Sequence, residues 1–507
     1  MKGKDTLWVN FSPPLAPDSI LTHVIFMPMR AVTKIGWDVL LVWMLLAVSY
    51  AYFYQDPAWN GNSRFALAVS MVRDGSLTID AFHDRPETGL ATGDVSFYNG
   101  HYYSDKAVGS SLLAAAAYLP IYWLTRLAGW SLPIEGLKQV LTFLALGLPS
   151  SLCGVLIYKF CKRVSGSMRR AFVVTCAVAL GTMVFPYSVT FYGHQLAGSF
   201  LFAAFYLLFE LKNSPDRQDA WILVAIGFGL GMALITEFTT LLVAVPLGVY
   251  YLLILRQRNV WRQARYFLLP LLGGLIPLAI LFAYNSLCFG SPFKIGYNNL
   301  NDATFQAGMA AGLMGIGRPS LRVLFFETFH PAEGLFWQSP VLLMALPGWY
   351  ALFKSRQFWS EGLLAFLACA AYLIMNAGYY MWWGGDAIGP RAIIPMLPFL
   401  CIPLICVPRR AFTWMVPLTV LSVGQMLLAA ASTTLVPTEK IMPNLKFASL
   451  FGYSTLYNYC WWKLSNGVFA PNLGEQILGL KTWASLMPLL LIWAAGTIVF
   501  CSNTKPK

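Results

Sequence analysis

Unbroken runs of apolar residues alternate along this chain with short polar connections, and the runs have the length of a bilayer crossing. A transmembrane helix needs about 17–25 mainly apolar residues. Such windows lie at 37–54, 138–160, 169–190, 193–211, 219–236, 238–255, 265–285, 337–353, 360–380, 388–406, 411–431 and 485–502, giving twelve expected spans. Placing the start of the chain in the cytoplasm puts the basic connections KFCKRVSGSMRR, ELKNSPDRQ, RQRNVWRQAR, KSR, VPRR and NTKPK all on that side, as the positive-inside bias requires. One further apolar run, 107–129, would reverse every later loop if it crossed. It is read as a helix lying along or dipping into the outer leaflet, with a thirteenth span as the alternative.

The first residues show no short apolar core followed by a small-residue cleavage site, so no cleavable signal is expected. The organisation expected is a cytoplasmic segment 1–36, a transmembrane body 37–502 and a cytoplasmic tail 503–507. Three long segments, 55–106, 286–336 and 432–484, fall on the outer side, and function is expected there. Composition agrees: 57% of the 507 residues are hydrophobic and 11% charged, too little polar surface for a soluble domain. The net charge of +13 sits in scattered loops without a basic helix or RNA-stacking pattern, which argues against nucleic acid. The nine cysteines include no C-x-x-C pair and read as apolar packing residues; only Cys288 and Cys460 fall near the outer surface. Neither a metal site nor an internal repeat is legible.

Polar chemistry concentrates in a few stretches. After the first span, YQDPAWNGNSRFALAVSMVRDGSLTIDAF carries Phe65, Leu67, Ala68, Met71 and Val72 at helical spacing, with Gly75 closing the pattern, which predicts a short interfacial helix. Acids follow at Asp80, Asp84, Glu87, Asp94 and Asp105, with Asp56 before them; most such loop acids are simply solvated. Asp94 and Lys106 stand apart in TGDVSFYNGHYYSDKAVG because aromatic and small residues flank them. Lys106 borders an apolar run, where it either snorkels to the interface or meets an anion. His194 in YSVTFYGHQLAG and Glu237 in ALITEFTT sit in connections too short to leave the membrane edge. Ionisable groups at that depth are functional candidates, although a structural His194–Glu237 pair is an equal alternative. NSLCFGSPFKIGY and FHPAEGLFWQSPVLL add further polar edges. In YYMWWGGDAIGPRAIIPMLPFL, Asp386 offers a carboxylate, and Arg391 opens a span where it either grips a phosphate or anchors at the headgroups.

These motifs carry a resemblance. The first span, the long acidic outer loop, the Tyr-Tyr-Ser-Asp-Lys-Ala-x-Gly stretch and the late Trp-x-Gly-Gly and Gly-Pro-Arg motifs resemble the GT-C superfamily of membrane glycosyltransferases. Within it the chain is similar to the bacterial branch related to protein O-mannosyltransferases and lipid A aminoarabinose transferases. The resemblance implies an all-α polytopic membrane protein with 12–13 transmembrane helices and interfacial helices in its first outer loop. It implies inverting transfer of a sugar from a polyprenyl-phosphate donor to a lipid, glycan or protein acceptor. The site would face the periplasm from a bacterial inner membrane. No cofactor and no nucleotide sugar are implied, and a divalent metal stays an open alternative.

Carried over residue by residue, HYYSDKAVG gives Tyr103, Asp105 and Lys106 donor-binding roles, and Trp383, Asp386 and Arg391 match the late motif, with His194 and Glu237 beside them. GNSRFALA keeps Arg64, but Gly61 and Asn62 replace the acid pair that relatives place there. The base is therefore sought elsewhere in the loop, at Asp94 first and at Asp56 or Asp80 after it. The competing class is a transporter or flippase of a lipid-linked or anionic substrate. A nearer rival is a polymerase or ligase using lipid pyrophosphates.

Overall fold

A computed structural model describes residues 36–214, 220–356, 358–437 and 453–504; the expected cytoplasmic segment and part of the third outer loop lie outside them. From Asp38 onward the described chain forms one unit, helical apart from one hairpin. Among the described residues seven helices are long and apolar enough to cross a bilayer, which makes this a polytopic membrane protein. They are α4 (Ile134–Ser165), α6 (Gly193–Asn213), α8 (Phe238–Gln257), α9 (Arg265–Phe289), α13 (Trp359–Ala377), α15 (Ala411–Ser432) and α16 (Thr482–Asn503). Three shorter apolar helices, α1 (Trp37–Tyr52), α7 (Ala220–Thr236) and α14 (Arg391–Ile405), complete the bundle.

Two expected spans are broken by local chemistry. The 169–190 run stops as α5 (Met168–Ala179), followed by a separate turn Val184–Ser188. The 337–353 run is cut at Pro340 into a 3₁₀ turn, Pro340–Met344, and α12 (Ala345–Ser355), because proline removes a backbone donor and clashes with the preceding turn. Prolines 395 and 398 likewise hold the first part of α14 in 3₁₀ form. Close helix packing relies on small residues: a Cβ at Gly227 of α7 would lie 1.8 Å from the Pro270 carbonyl oxygen of α9.

The segment 55–106, expected on the outer side, packs as a wall against the bundle. Asp56 Oδ1 accepts from the Ala58 N–H at 3.1 Å and starts α2 (Ala58–Val69), whose residues from Gly61 to Val69 are all buried. A π turn, Ser70–Asp74, carries α2 to Gly75, which ends it at φ +61°. The hairpin β1 (Val95–Tyr98) and β2 (His101–Ser104) turns at Asn99–Gly100, both with positive φ, as a tight two-residue hairpin turn demands. Its register pairs Val95 with Ser104 and Tyr98 with His101. Ser63 Oγ meets Ser104 Oγ at 2.8 Å, tying hairpin to α2.

The 107–129 run forms α3 (Gly109–Leu127). It packs along α2 and the π turn. Beyond it, Lys138 Nζ donates to the Gly89 carbonyl at 3.1 Å, tying the start of α4 to the segment before the hairpin. Trp123, Leu124, Leu127 and Trp130 are exposed at its far end, an apolar face suited to lying on lipid. α10 (Ala303–Ala310) and α11 (Leu321–Phe329) follow in the second outer loop.

Candidate active site

Five distant parts of the chain enclose a cavity of about 500 Å³. α2 supplies Arg64, and the end of the hairpin supplies Asp94, Asp105 and Lys106. The α6 start gives Tyr192 and His194, the α7–α8 junction Glu237, and the 379–391 loop Tyr379, Tyr380, Asp386 and Arg391. Tyr297, Leu300, Phe305 and Met309 of the second outer loop close one side.

At its centre Lys106 Nζ sits 2.8 Å from Asp94 Oδ2 and 2.9 Å from Asp105 Oδ2. Asp105 is sealed, with Oδ1 buried and lacking any hydrogen-bond partner. Burial raises its pKa, Lys106 opposes that rise and Asp94 adds to it. For Lys106, desolvation acts to lower the pKa, but the Asp105 and Asp94 carboxylates outweigh it and the net shift is upward. Lys106 is therefore a fixed cation. Both carboxylates line the cavity, and Asp94, 9% exposed against 3% for Asp105, is the more accessible of the two.

A second ion pair stiffens the floor. Arg64, 2% exposed, donates to Glu237 Oε1 at 3.0 Å, to Ser110 Oγ at 2.8 Å and to the Ala107 carbonyl at 3.3 Å. It thus links α2, the α3 start and the α7–α8 junction. Glu237 takes Arg64 as its hydrogen-bonded partner, while His194 Nδ1 stands 3.6 Å away, too far for a hydrogen bond, and is buried without one. Above this floor the Arg391 guanidinium lies 4.6 Å over the Tyr192 ring, and Tyr192 in turn stacks on His194 at 6.5 Å. Arg391 pairs with no carboxylate among the described residues.

The loop carrying Arg391 is held from behind. Glu327 Oε2 accepts from Asn376 Nδ2 at 2.6 Å, and the same amide donates to the Trp382 carbonyl at 2.9 Å. Gly384, Gly385 and Gly389 adopt positive φ, giving the loop its path between Trp382 and Arg391. Burial pushes Glu327 up to about 8, moderated by Asn376.

Of the residues expected from sequence, Arg64, Asp94, Asp105, Lys106, His194, Glu237, Asp386 and Arg391 line this one cavity. Four do not line it. Asp56 accepts from the Ala58 N–H ahead of α2. Asp80 accepts from the Tyr102 N–H at 2.6 Å and meets His101 Nδ1 at 2.7 Å, so it braces the hairpin. Tyr103 packs edge-on against Phe289, and Trp383 against Trp382. The aromatic walls Tyr192, Tyr297, Tyr379 and Tyr380 were not singled out by sequence. The hairpin that delivers Asp94 and Lys106 to one point had a legible signal, Asn99–Gly100 between aromatic residues. Among the described residues no three or more His, Cys, Asp or Glu side chains are arranged to hold a metal ion, and all nine cysteines are free thiols.

The fold and site thus define a helical membrane protein with a cavity of clustered cations, carboxylates and aromatic rings. No family model and no curated protein matches the chain. Among solved structures it is similar to ArnT from Cupriavidus metallidurans bound to undecaprenyl phosphate, with 14% identity over 92% of this chain and 76% of that one, TM-score 0.46. It is likewise similar to the apo state of that protein, with 17% identity, 92% and 75% coverage and TM-score 0.46.

Proposed function

We propose that this chain is a GT-C-type membrane glycosyltransferase that moves one sugar from a polyprenyl-phosphate donor to a lipid, glycan or protein acceptor on the extracytoplasmic face. The observation that carries the reading is the juxtaposition, in one cavity, of the unpaired Arg391 guanidinium with the Asp94–Lys106–Asp105 cluster. A guanidinium without a carboxylate partner is suited to an anion such as a phosphate. Tyr192, Tyr297, Tyr379 and Tyr380 offer faces for a sugar. Arg163, Arg169, Arg170 and Arg258 stand at the other ends of their helices, which supports an outward-facing cavity.

In the proposed single displacement the acceptor hydroxyl oxygen bonds to the anomeric carbon as the bond from that carbon to the phosphate oxygen breaks. The bonding pair leaves with the phosphate, and the hydroxyl proton passes to Asp94. Arg391 neutralises the departing phosphate, and Lys106, 2.8 Å from Asp94 Oδ2, aims that carboxylate. Asp105, sealed from the cavity on one side, serves as a counter-charge for Lys106. Arg64 and Glu237 fix the floor, and no cofactor is invoked.

The test is sugar transfer and polyprenyl-phosphate release by the purified protein in lipid discs, with a panel of polyprenyl-phosphate sugars and extracted envelope acceptors. Asp94→Asn should abolish transfer and leave donor binding intact. Transfer that survives the change removes Asp94 as base, and a panel in which no donor binds overturns the reading.

A further inference from the structure

A second cavity, of about 410 Å³, lies between α1, α5, α15 and α16, and shares no lining residue with the polar site. Leu46, Phe172, Leu180, Val423 and Trp493 form its inner wall, while Val416, Val420 and Leu490 are exposed along its open side. Along α15 it extends from Val416 to Leu427, about 16 Å at 1.5 Å per residue. That depth is roughly one leaflet of a hydrocarbon core about 30 Å thick. The groove is therefore the size and polarity of a hydrocarbon chain.

Two features mark it as more than a bilayer-facing hollow. Thr419 lines the groove and is 7% exposed, and its hydroxyl has no hydrogen-bond partner, an arrangement that is costly unless a ligand satisfies it. One end of the groove is cationic. Arg169 and Arg170 open α5 two or three residues before Phe172, and Arg409 and Arg410 precede α15. Arg409 lies within electrostatic reach of Arg170. Arg169 and Arg170 donate from their terminal nitrogens to backbone carbonyls at 405, 407, 501 and 504, and none of the four forms an ion pair among the described residues. Exposed Arg409 and Arg410 thus present positive charge at the mouth of an apolar groove.

We infer that this groove is a binding site for one anionic phospholipid of the bilayer. One acyl chain lies between α5 and α15, the phosphate meets Arg409 and Arg410, and an ester carbonyl accepts from the Thr419 hydroxyl. Basic mouths between membrane helices attract anionic headgroups, and the concave wall distinguishes this chain from lipids that merely surround the protein.

Gly424 gives a clean test. It lines the groove, and a Cβ there would meet nothing within 4 Å, so the side chain of Gly424→Leu starts into open space. The intact protein in detergent is titrated with phosphatidylglycerol or phosphatidylcholine while the unfolding midpoint is followed. Phosphatidylglycerol should raise the midpoint at concentrations at least tenfold lower than phosphatidylcholine. Gly424→Leu should weaken that response about tenfold, and Arg409→Gln with Arg410→Gln should make the two lipids equal. Phosphatidylglycerol with brominated chains should also quench a part of the tryptophan emission that Trp493→Phe removes. Equal responses to the two lipids in the unmodified protein, an unchanged response in Gly424→Leu, or no Trp493-dependent quenching would each overturn the inference.

Discussion

The Glu237 carboxylate occupies the space that a side chain at residue 193 would fill: a Cβ on Gly193 would lie 2.3 Å from Glu237 Oε1. Glycine at the first residue of α6 therefore lets the α7–α8 junction press against it and lets Glu237 reach Arg64. Gly193→Ala should destabilise the protein by about 1–3 kcal/mol through overpacking. Glu237→Gln should cost more, about 3–5 kcal/mol, because it leaves the buried Arg64 charge without its counter-ion. Thermal unfolding of the two variants against the unmodified protein checks the order.

Lys106 opposes the upward pull of burial on the Asp105 carboxyl. Removing it as Lys106→Met takes away the cation that opposes the burial-raised pKa of Asp105, so protons stay on the carboxyl cluster to higher pH. The acid limb of the transfer profile should move upward, and turnover at neutral pH should fall about 10²–10⁴-fold, the usual scale for a disabled general base. A pH–rate profile of the variant separates this from simple misfolding, which would lower the whole curve without moving it.

Arg391 acts through shape as well as charge. Arg391→Lys keeps the cation but loses the planar fork and the stacking on Tyr192, 4.6 Å away. Donor affinity should fall about 10–100-fold, equivalent to roughly 1.4–2.8 kcal/mol. Tyr192→Leu should show a smaller loss, about 0.5–2 kcal/mol, matching a cation–π contact. Direct binding of a polyprenyl-phosphate sugar, measured without turnover, reports both.

Glu327 should make stability depend on pH in a definite direction. Its carboxyl holds a proton in the folded protein up to about 8, against 4.5 for the unperturbed group. Between those values the native state binds more protons than the unfolded chain, so this residue's contribution to stability falls as pH rises through the window and levels off above it. Glu327→Gln mimics the protonated form and removes the dependence. Relative to the unmodified protein, its unfolding midpoint should be higher at pH 8 than at pH 5, and an identical difference at both values would count against the shift.

Hydrophobic periodicity alone determined that this chain is a helical membrane protein and where most helices run, because segment length and apolarity are local properties that a bilayer reads directly. The polar set was also legible: Arg64, Asp94, Asp105, Lys106, His194, Glu237 and Arg391 stand out wherever charge interrupts oil. What tertiary structure decided was their partnership. Arg64 and Glu237 are 173 residues apart in sequence and 3.0 Å apart in space, and nothing local says that Glu237 pairs with Arg64 rather than with neighbouring His194. Asp80 and Asp56 look equivalent to Asp94 in sequence, yet the first braces the hairpin and the second accepts from the Ala58 N–H ahead of α2, because a carboxylate's role is fixed by the donors that packing brings to it. The same holds for Thr419, ordinary in sequence, whose hydroxyl becomes a binding feature only when four helices leave a groove around it.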